Sequence, residues 1–173
     1  MDLPAALTDL QEQVIVGNLL GDGTLSRPET DDSNSSFVFS QKKQNELYVR
    51  VVADVMQPYT SGVSHGKGRK PIRINGKVTS SREYWDGTYV YYVRMRTHRH
   101  PVFTELRYKW YAGSEGKWQK QLPVGVKLTW LTLAYWAMDD GTNDFHGRKF
   151  RLLPYDFSFP DVARMIELLV RVS

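Results

Sequence analysis

The sequence contains no cysteine among its 173 residues, which excludes a disulfide framework and any zinc site built on thiolates. No apolar run approaches the roughly 20 residues that are needed to span a bilayer, so no membrane helix is predicted. The N-terminus, MDLPAALTD, is acidic and lacks a basic stretch, which argues against a secretory signal peptide. These absences predict a soluble intracellular protein, and they do not distinguish an organelle from a bacterial or archaeal DNA compartment.

Positive charge is concentrated in the middle of the chain, although the net charge is only +4. Between Ser61 and Lys120 there are 13 Lys/Arg against 4 Asp/Glu, whereas the remainder has 10 against 15. A basic segment between acidic ends is typical of a surface that binds a polyanion. A solvated basic face is the simpler alternative. Because the cations lie in strand-like, aromatic-rich sequence, we favour nucleic acid.

Two apolar segments, Ile15–Gly23 (IVGNLLGDG) and Leu133–Gly141 (LAYWAMDDG), end in the same way. When the two segments are aligned on these endings, Asp22 and Asp140 both occupy the eighth place of their segment, and a glycine follows each acid. An acid at a helix C-terminus is unfavourable by a few tenths to about 1 kcal/mol, because the helix dipole is already negative there. For one copy alone, a glycine that ends a helix or a hairpin turn is sufficient explanation. Two matched copies favour a metal ion held between two helix ends.

Small residues in both segments predict that the two helices pack closely. Gly17 and Gly21 are four apart and share one helix face, and Ala134 and Ala137 are three apart. Glycine and alanine allow backbones to approach, which would bring Asp22 and Asp140 to one point. Their hard oxygen ligands suit Mg²⁺. A zinc site at His98 and His100 is disfavoured because no third ligand is evident.

At these two segments the chain resembles the LAGLIDADG homing endonucleases, in particular those with both motifs in one chain. The likeness extends from about Leu7 to the end and includes the Lys-x-Leu-Pro step at Lys120–Pro123 and the aromatic-Ser-aromatic helix entry at Phe157–Phe159. The resemblance implies an α+β fold in which an αββαββα half is repeated with pseudo-twofold symmetry. It divides the chain into a first half over 1–112, a linker over 113–126 and a partial second half over 127–173.

The order of elements predicts that the second repeat is incomplete. The first half contains a helix from the Thr8 capping box, a strand over Thr24–Arg27 with a return strand from Phe37, and a helix over Lys43–Met56 with Leu47, Val51, Val52 and Val55 as its core stripe. A long hairpin over Val63–Thr97, with a tight turn at Asn75-Gly76, and a helix from Pro101 follow. The second half has only a helix over Leu128–Asp140, a strand over Lys149–Phe157 and a helix from Ser158. We expect that strand to lack sheet neighbours and the last helix to be only partly covered.

The resemblance implies a metal-dependent endonuclease that cuts double-stranded DNA at a long target site. It implies a Mg²⁺ site formed by Asp22 and Asp140 together with Gly21 and Asp139. It also implies catalytic roles for Asp22, Asp140 and Lys120, with the lysine orienting the hydrolytic water or neutralising the phosphate. The residues expected to bind DNA are Arg27, Gln41, Arg69, Lys70, Arg73, Lys77, Arg94 and Arg96. A complete protein is expected to be a monomer, whereas this chain is expected to be marginally stable or to self-associate, and to cut weakly or on one strand at most.

Two other functions remain open at this point. One is a maturase that binds a group I intron RNA and would keep the basic sheets without needing the acids. The other is a non-catalytic or truncated DNA-binding relative. The presence of both Asp22 and Asp140 favours the nuclease.

Overall fold

The fold comes from a computed structural model that describes residues 3–30, 33–74, 77–79, 87–113, 118–143, 147 and 149–172. Helices and antiparallel strands are both present, as the sequence predicts. Among the described residues, no helix is both long and apolar enough to cross a membrane. The predicted turn at Asn75-Gly76 lies outside the described residues.

The first half follows the predicted order of helices and strands. It contains α1 (Asp9–Leu20), β1 (Thr24–Leu25), β2 (Phe37–Lys42), α2 (Glu46–Val55), β3 (Val63–Arg69), β4 (Ile72–Ile74), β5 (Lys77–Thr79), β6 (Tyr89–Arg96) and α3 (Pro101–Trp110). Four strands form a sheet in the order β1-β2-β6-β3, and β4 pairs with β5 separately. β3 and β6 pair from Val63↔Met95 to Arg69↔Tyr89, which confirms the long hairpin.

Helix α1 begins where its sequence predicts. The main-chain N–H of Gln11 donates to Thr8 Oγ1 at 3.3 Å, and the N–H of Thr8 donates to Gln11 Oε1 at 3.0 Å, which is a complete capping box. The Gln11 amide also donates to the carbonyls of Val55 and Gln57 and so ties α1 to the end of α2. α1 is buried along most of its length, as expected for a helix that is apolar on several faces.

Helix α2 covers the sheet with a different face from the one predicted. Val49, Val52 and Ala53 are buried, whereas Leu47 is 77% exposed and Val51 is also exposed, so the predicted core stripe is wrong at these two positions. Apolar residues occupy more than one face of this helix, and the face that packs against the core is the one with Val49, Val52, Ala53 and Met56, so Leu47 and Val51 lie on its solvent side. Residues Lys43–Asn45 form a 3₁₀ turn before the helix.

The linker and the second half contain more pairing than predicted. After α3 come β7 (Tyr111–Ala112), β8 (Gln119–Lys120), α4 (Trp130–Asp140), β9 (Gly141–Asn143), β10 (Phe150–Leu152) and α5 (Phe159–Val172). β7 pairs with β8, so part of the predicted linker is a strand. β10 pairs antiparallel with β9, so the expectation that this strand lacks neighbours is wrong. On α5, Met165 is buried and Ile166 is exposed, which confirms a partly covered face.

Helices α1 and α4 run side by side in the same direction. Thr129 Oγ1, at the start of α4, donates to Gln13 Oε1 at 2.7 Å, and near the other end Asn18 Nδ2 donates to Asp139 Oδ2 at 3.0 Å. Early residues of one helix therefore meet early residues of the other, and late residues meet late ones. The two C-terminal ends, with the two Asp-Gly pairs, lie together.

Candidate active site

Close packing of α1 on α4 brings Asp22 and Asp140 to the same end of the helix pair. A Cβ added to Gly17 would lie 2.6 Å from Tyr135 Cβ, and one added to Gly21 would lie 2.4 Å from Asp139 Cβ. Both glycines therefore serve the close approach that the sequence predicts. Their partners on α4 are Tyr135 and Asp139, while Ala134 is exposed, so the expected role of Ala134 in this contact is wrong.

Each motif leaves its helix without a left-handed glycine. Gly141 caps α4 in an extended conformation, with φ −77° and ψ 138°, and leads directly into β9. A Cβ there would lie 2.2 Å from the Ala137 carbonyl oxygen and 2.3 Å from the ring of Phe150. This glycine is required because other atoms pack against it, and not because the backbone turns to positive φ.

The acids at the helix ends repel one another. The pKa of Asp140 is raised to about 6, chiefly by burial and then by the nearby negative charges of Asp22 and Asp156, while Lys120 opposes the shift. Burial also raises the pKa of Asp139 to about 7, and hydrogen bonds from Asn18 and Tyr48 oppose this. Negative charge is therefore costly at this point of the fold, and a cation would relieve it.

Lys120 holds the end of α1 from outside the helix. Its Nζ donates to the Gly21 carbonyl at 2.7 Å and lies 3.4 Å from Asp156 Oδ2, and the side chain is only 8% exposed. α1 has no basic residue in its last turn, so Lys120 supplies the cation that a helix C-terminus favours. Lys120 and Asp156 line an open cleft of about 450 Å³ together with Asp22, Gly23 and Thr24.

Asp22 is held by groups from several elements. Its carboxylate accepts a hydrogen bond from the Gln41 amide of β2 at 2.6 Å, and its main-chain N–H donates to Asp139 Oδ2 at 3.3 Å. Asp22 follows the helix rather than ending it, because α1 stops at Leu20 and the N–H groups of Gly21 and Gly23 both turn back to the Asn18 carbonyl. Gln41, one of the residues expected to bind DNA, therefore contacts the acid of the first motif through its side-chain amide.

Three contributors to this site are absent from the sequence-based expectations. Asn18 is a polar residue within an apolar helix, one turn before Asp22, and that contrast is a usable signal. Tyr48 and Asp156 carry no comparable signal, since each reaches the site only through the packing of a separate element. His100, one of the two histidines considered for a metal site, accepts a hydrogen bond at Nδ1 from the Val102 N–H and so caps α3.

The sheet has a polar face that carries two of the predicted DNA-binding arginines. Alternation along β6 places Val90, Tyr92, Arg94 and Arg96 on this face and Tyr91, Val93 and Met95 on the other, as predicted. Arg94 Nε donates to Ser40 Oγ at 3.0 Å, and its guanidinium carbon lies 5.1 Å from the centre of the Tyr92 ring. Two contacts therefore restrain Arg94, whereas Arg96 is exposed to solvent.

Arg69 lies on the opposite face from Arg94. It pairs with Tyr89, and Lys67 on the same strand stacks over the Tyr89 ring at 4.6 Å, which places both cations on the α2 side of the sheet. The predicted DNA-binding set is therefore divided between two faces. Arg27 is exposed after β1 and Lys70 is exposed after β3. Arg73 and Lys77 lie in the paired strands β4 and β5.

The chain is similar to known proteins over most of its length. Residues 12–172 match the model of the LAGLIDADG DNA endonuclease family. A probable intron-encoded endonuclease 1 from Wickerhamomyces canadensis is 27% identical over 135 residues, which cover 78% of this chain and 51% of the relative. A Protein RecA from Mycolicibacterium flavescens is 28% identical over 138 residues, 80% of this chain and 27% of that protein. The chain thus spans about half of the first relative's length and about a quarter of the second's.

A solved structure has the same fold. The homing endonuclease I-WcaI, bound to its DNA recognition sequence, superposes with a TM-score of 0.73 at 24% identity, over 95% of this chain and 67% of that one. The range that matches the family model contains both Asp-Gly motifs. On these grounds the chain belongs to the LAGLIDADG DNA endonuclease family.

Proposed function

We propose that this chain acts as a metal-dependent, site-specific DNA endonuclease of the homing type. The observation that carries the proposal is the parallel packing of α1 on α4, which brings Asp22 and Asp140 together beside the Lys120 cleft. The polar sheet face with Arg94 and Arg96 supplies positive charge for a nucleic acid. The likeness to an intron-encoded endonuclease and to a homing endonuclease bound to DNA supports the same activity.

The donors at the helix ends fit Mg²⁺. Asp22 and Asp140 offer carboxylate oxygens, and the Gly21 carbonyl, next to Asp22 in the chain, accepts a hydrogen bond from Lys120 at 2.7 Å. Within the described residues no group of three His, Cys, Asp or Glu is arranged to hold a metal ion. Mg²⁺ in proteins is commonly bound by one or two carboxylates, with phosphate oxygens and water completing its six ligands. The donor set therefore suits Mg²⁺ held between the protein and a DNA phosphate.

Each residue has a defined task in this proposal. Asp22 and Asp140 would hold divalent cations at the two helix ends, and a cation bound there would lower the pKa of its water ligand and stabilise the leaving oxygen. The Lys120 ammonium offsets the charge of the scissile phosphate or orients the attacking water from its position beside Gly21. Gln41 fixes the direction of the Asp22 carboxylate. The polar sheet face binds the DNA duplex and sets its register.

The proposal is tested by selecting and cleaving DNA with the purified chain. A library of random duplexes is first enriched for binding in Ca²⁺, and the enriched pool is then incubated with Mg²⁺ or with EDTA. We expect discrete cuts in Mg²⁺ and none in EDTA. Asp22→Asn and Asp140→Asn should each abolish cleavage and leave binding largely unchanged. Asp9→Asn is the matched control, since it removes one negative charge from the opposite end of α1.

Each outcome separates the candidate functions. Full cutting by Asp22→Asn or Asp140→Asn would remove that acid from the mechanism. Sequence-specific binding without any cut in Mg²⁺ would support a non-catalytic relative. Tight binding of a group I intron RNA, with no cleavage of DNA, would support a maturase.

A further inference from the structure

Asp139 joins three helices through hydrogen bonds. Its Oδ1 accepts from the Tyr48 hydroxyl of α2 at 2.8 Å, and its Oδ2 accepts from the Asn18 amide of α1 at 3.0 Å. Asn18 Nδ2 also donates to the Tyr48 oxygen at 2.9 Å, so the three side chains form a closed triangle. The ring of Tyr48 is supported by Phe39 at a centroid distance of 5.2 Å and by Tyr135 at 6.0 Å.

The same carboxylate reaches the first motif's acid. Oδ2 of Asp139 also accepts from the main-chain N–H of Asp22 at 3.3 Å. This approach is possible only because Gly21 has no side chain, since a Cβ there would lie 2.8 Å from that oxygen. The seventh place of the second motif therefore contacts the eighth place of the first, across the helix pair.

We propose that Asp139 is a positioning residue: with Tyr48 and Asn18 it forms a clasp that fixes the main chain at Asp22 and thereby aims the Asp22 carboxylate. This inference rests on the proposed nuclease function, which it extends to residues outside the acid pair. The clasp acts on the main chain, while Gln41 acts on the carboxylate and Lys120 acts on the preceding carbonyl. Asp22 is thus held at three successive points.

The hydrogen bonds separate positioning from metal binding. Oδ2 of Asp139 already accepts two hydrogen bonds, from Asn18 and Asp22, and Oδ1 accepts one from Tyr48, so protein donors occupy most of the acceptor positions of this carboxylate. The clasp needs an acceptor facing Asn18 and Asp22, but it does not need a negative charge. An asparagine at 139 meets that need with its carbonyl oxygen. The NH₂ group of that asparagine then donates to the Tyr48 hydroxyl oxygen. The Tyr48 hydroxyl donates instead to the Tyr135 carbonyl, which lies 3.4 Å away.

The direct test is the Asp22 amide proton, measured by hydrogen exchange and by its ¹⁵N–¹H resonance in the metal-free, DNA-free protein. Asp139→Ala should accelerate exchange of this amide roughly tenfold, the factor that corresponds to the loss of one hydrogen bond. Asp139→Asn should keep exchange near the wild-type rate. Tyr48→Phe should give an intermediate acceleration, because Asp139 loses one of its anchors.

Tyr59→Phe is the matched control for Tyr48→Phe. The Tyr59 hydroxyl is also engaged, since it donates to main-chain carbonyls at Pro4 and Ala6. Its loss should lower the melting temperature by a similar amount and leave the Asp22 amide unchanged. A general loss of stability would instead affect the Asp22 amide equally in both phenylalanine variants, and that result would overturn the clasp.

Cleavage of selected DNA gives the second readout. Asp139→Ala and Tyr48→Phe should slow cleavage at saturating DNA and raise the Mg²⁺ concentration needed for half the maximal rate, whereas Asp139→Asn should retain cleavage. If Asp139→Asn abolishes cleavage as completely as Asp22→Asn, the carboxylate charge is required and the positioning role is wrong. If Asp139→Ala does not fold, the other two variants decide the question. If the wild type cuts no DNA at all, the nuclease proposal fails, while the exchange measurements still test the clasp.

Discussion

Gly17 lies so close to Tyr135 that a Cβ on the glycine would be 2.6 Å from the Cβ of the tyrosine. The same added atom would be 2.7 Å from the carbonyl oxygen of Thr132. A main-chain oxygen within a helix cannot move aside without moving the helix. The contact at Gly17 therefore sets the separation of α1 and α4, and with it the distance between the two acids at their ends.

Replacing Gly17 with alanine should separate the motif helices. We expect Gly17→Ala to lower the free energy of unfolding by about 1–3 kcal/mol, the usual cost of overpacking a core. It should also slow cleavage more than it weakens DNA binding, since the acids move apart and the sheet does not. Urea denaturation and cleavage assays measure the two effects. Gly68→Ala is the control, because a Cβ there would meet only an ordinary contact at 3.9 Å.

The sequence predicts the packing of the two motif helices well because its signals are local. Matched spacing aligns Asp22 with Asp140, and the glycines at 17 and 21 indicate close packing, which the structure confirms. The faces of β6 follow from alternation alone. These features depend on residues near one another in the chain, where helix and strand geometry fixes the arrangement.

Features that depend on distant segments could not be predicted in the same way. The clasp requires Tyr48 to reach across from α2, and the position of Arg69 depends on which residue of β6 it pairs with. Helix α2 is apolar on more than one face, and its packing against the sheet buries Val49, Val52 and Ala53 and leaves Leu47 exposed. Ala134 is small enough for a helix contact, but Tyr135 and Asp139 on the same helix make it instead.

Lys120 should matter for both stability and cleavage. In Lys120→Met the buried Gly21 carbonyl loses its donor, and such an unsatisfied group costs about 1–3 kcal/mol. We expect a lower melting temperature, loss of Mg²⁺-dependent cleavage and little change in DNA affinity. Lys127→Met removes the same charge from the segment just before α4, outside the Lys120 cleft, and serves as the control. Normal cleavage by Lys120→Met would exclude the lysine from the chemistry.

The two sheet faces should respond differently to loss of charge. Neutralising a cation that contacts phosphate lowers the salt slope of binding by about one. Replacing an arginine that reads a base costs about 1–3 kcal/mol of binding free energy at one base pair. We expect Arg96→Ala to show the first effect. Arg94→Ala should show the second, because Ser40 and Tyr92 restrain its guanidinium. Binding is measured as a function of salt, and the preferred site is determined by selection for each variant.

Arg69→Ala provides the matched comparison, since it removes the same charge from the opposite face of the sheet. Its effect on the salt slope should be smaller than that of Arg96→Ala. An equal or larger effect would mean that the α2 side of the hairpin also contacts DNA. No effect from either Arg94→Ala or Arg96→Ala would show that the polar face is not the DNA-binding surface.

The outer face of α5 should promote self-association. Ile166 is 58% exposed and Val170 is 70% exposed, and they lie one turn apart on the same helix face. Contiguous exposed apolar side chains commonly mark contact surfaces. We expect the chain's apparent mass in sedimentation to rise with concentration, and the double variant Ile166→Ser, Val170→Ser to remain monomeric. Leu47→Ser, at an equally exposed apolar position on α2, should not change the association; a wild-type chain that is monomeric at all concentrations would contradict the expectation.

Stability should fall as the pH rises, which is the reverse of the usual behaviour of a paired carboxylate. Burial raises the pKa of Asp139 from 3.8 to about 7, so the folded state holds a proton that the unfolded state has released. Below about pH 4 both states are protonated and there is no penalty. Between about pH 4 and pH 7 each rise in pH favours the unfolded chain. The free energy of unfolding falls over this range by a total on the order of a few kcal/mol. Asp140, which is more exposed, adds a smaller share in the same direction.

The measurement is urea denaturation at closely spaced pH values in EDTA, so that no divalent ion compensates the carboxylates. Wild-type stability should decline from about pH 4 to pH 7 and then level off. Asp139→Asn should flatten most of this decline, because an amide cannot ionise while it keeps the hydrogen bonds of the clasp. Asp9→Asn, which changes an acid at the other end of α1, should leave the decline in place. A decline that persists unchanged in Asp139→Asn would show that the buried carboxylate of Asp139 is not its source.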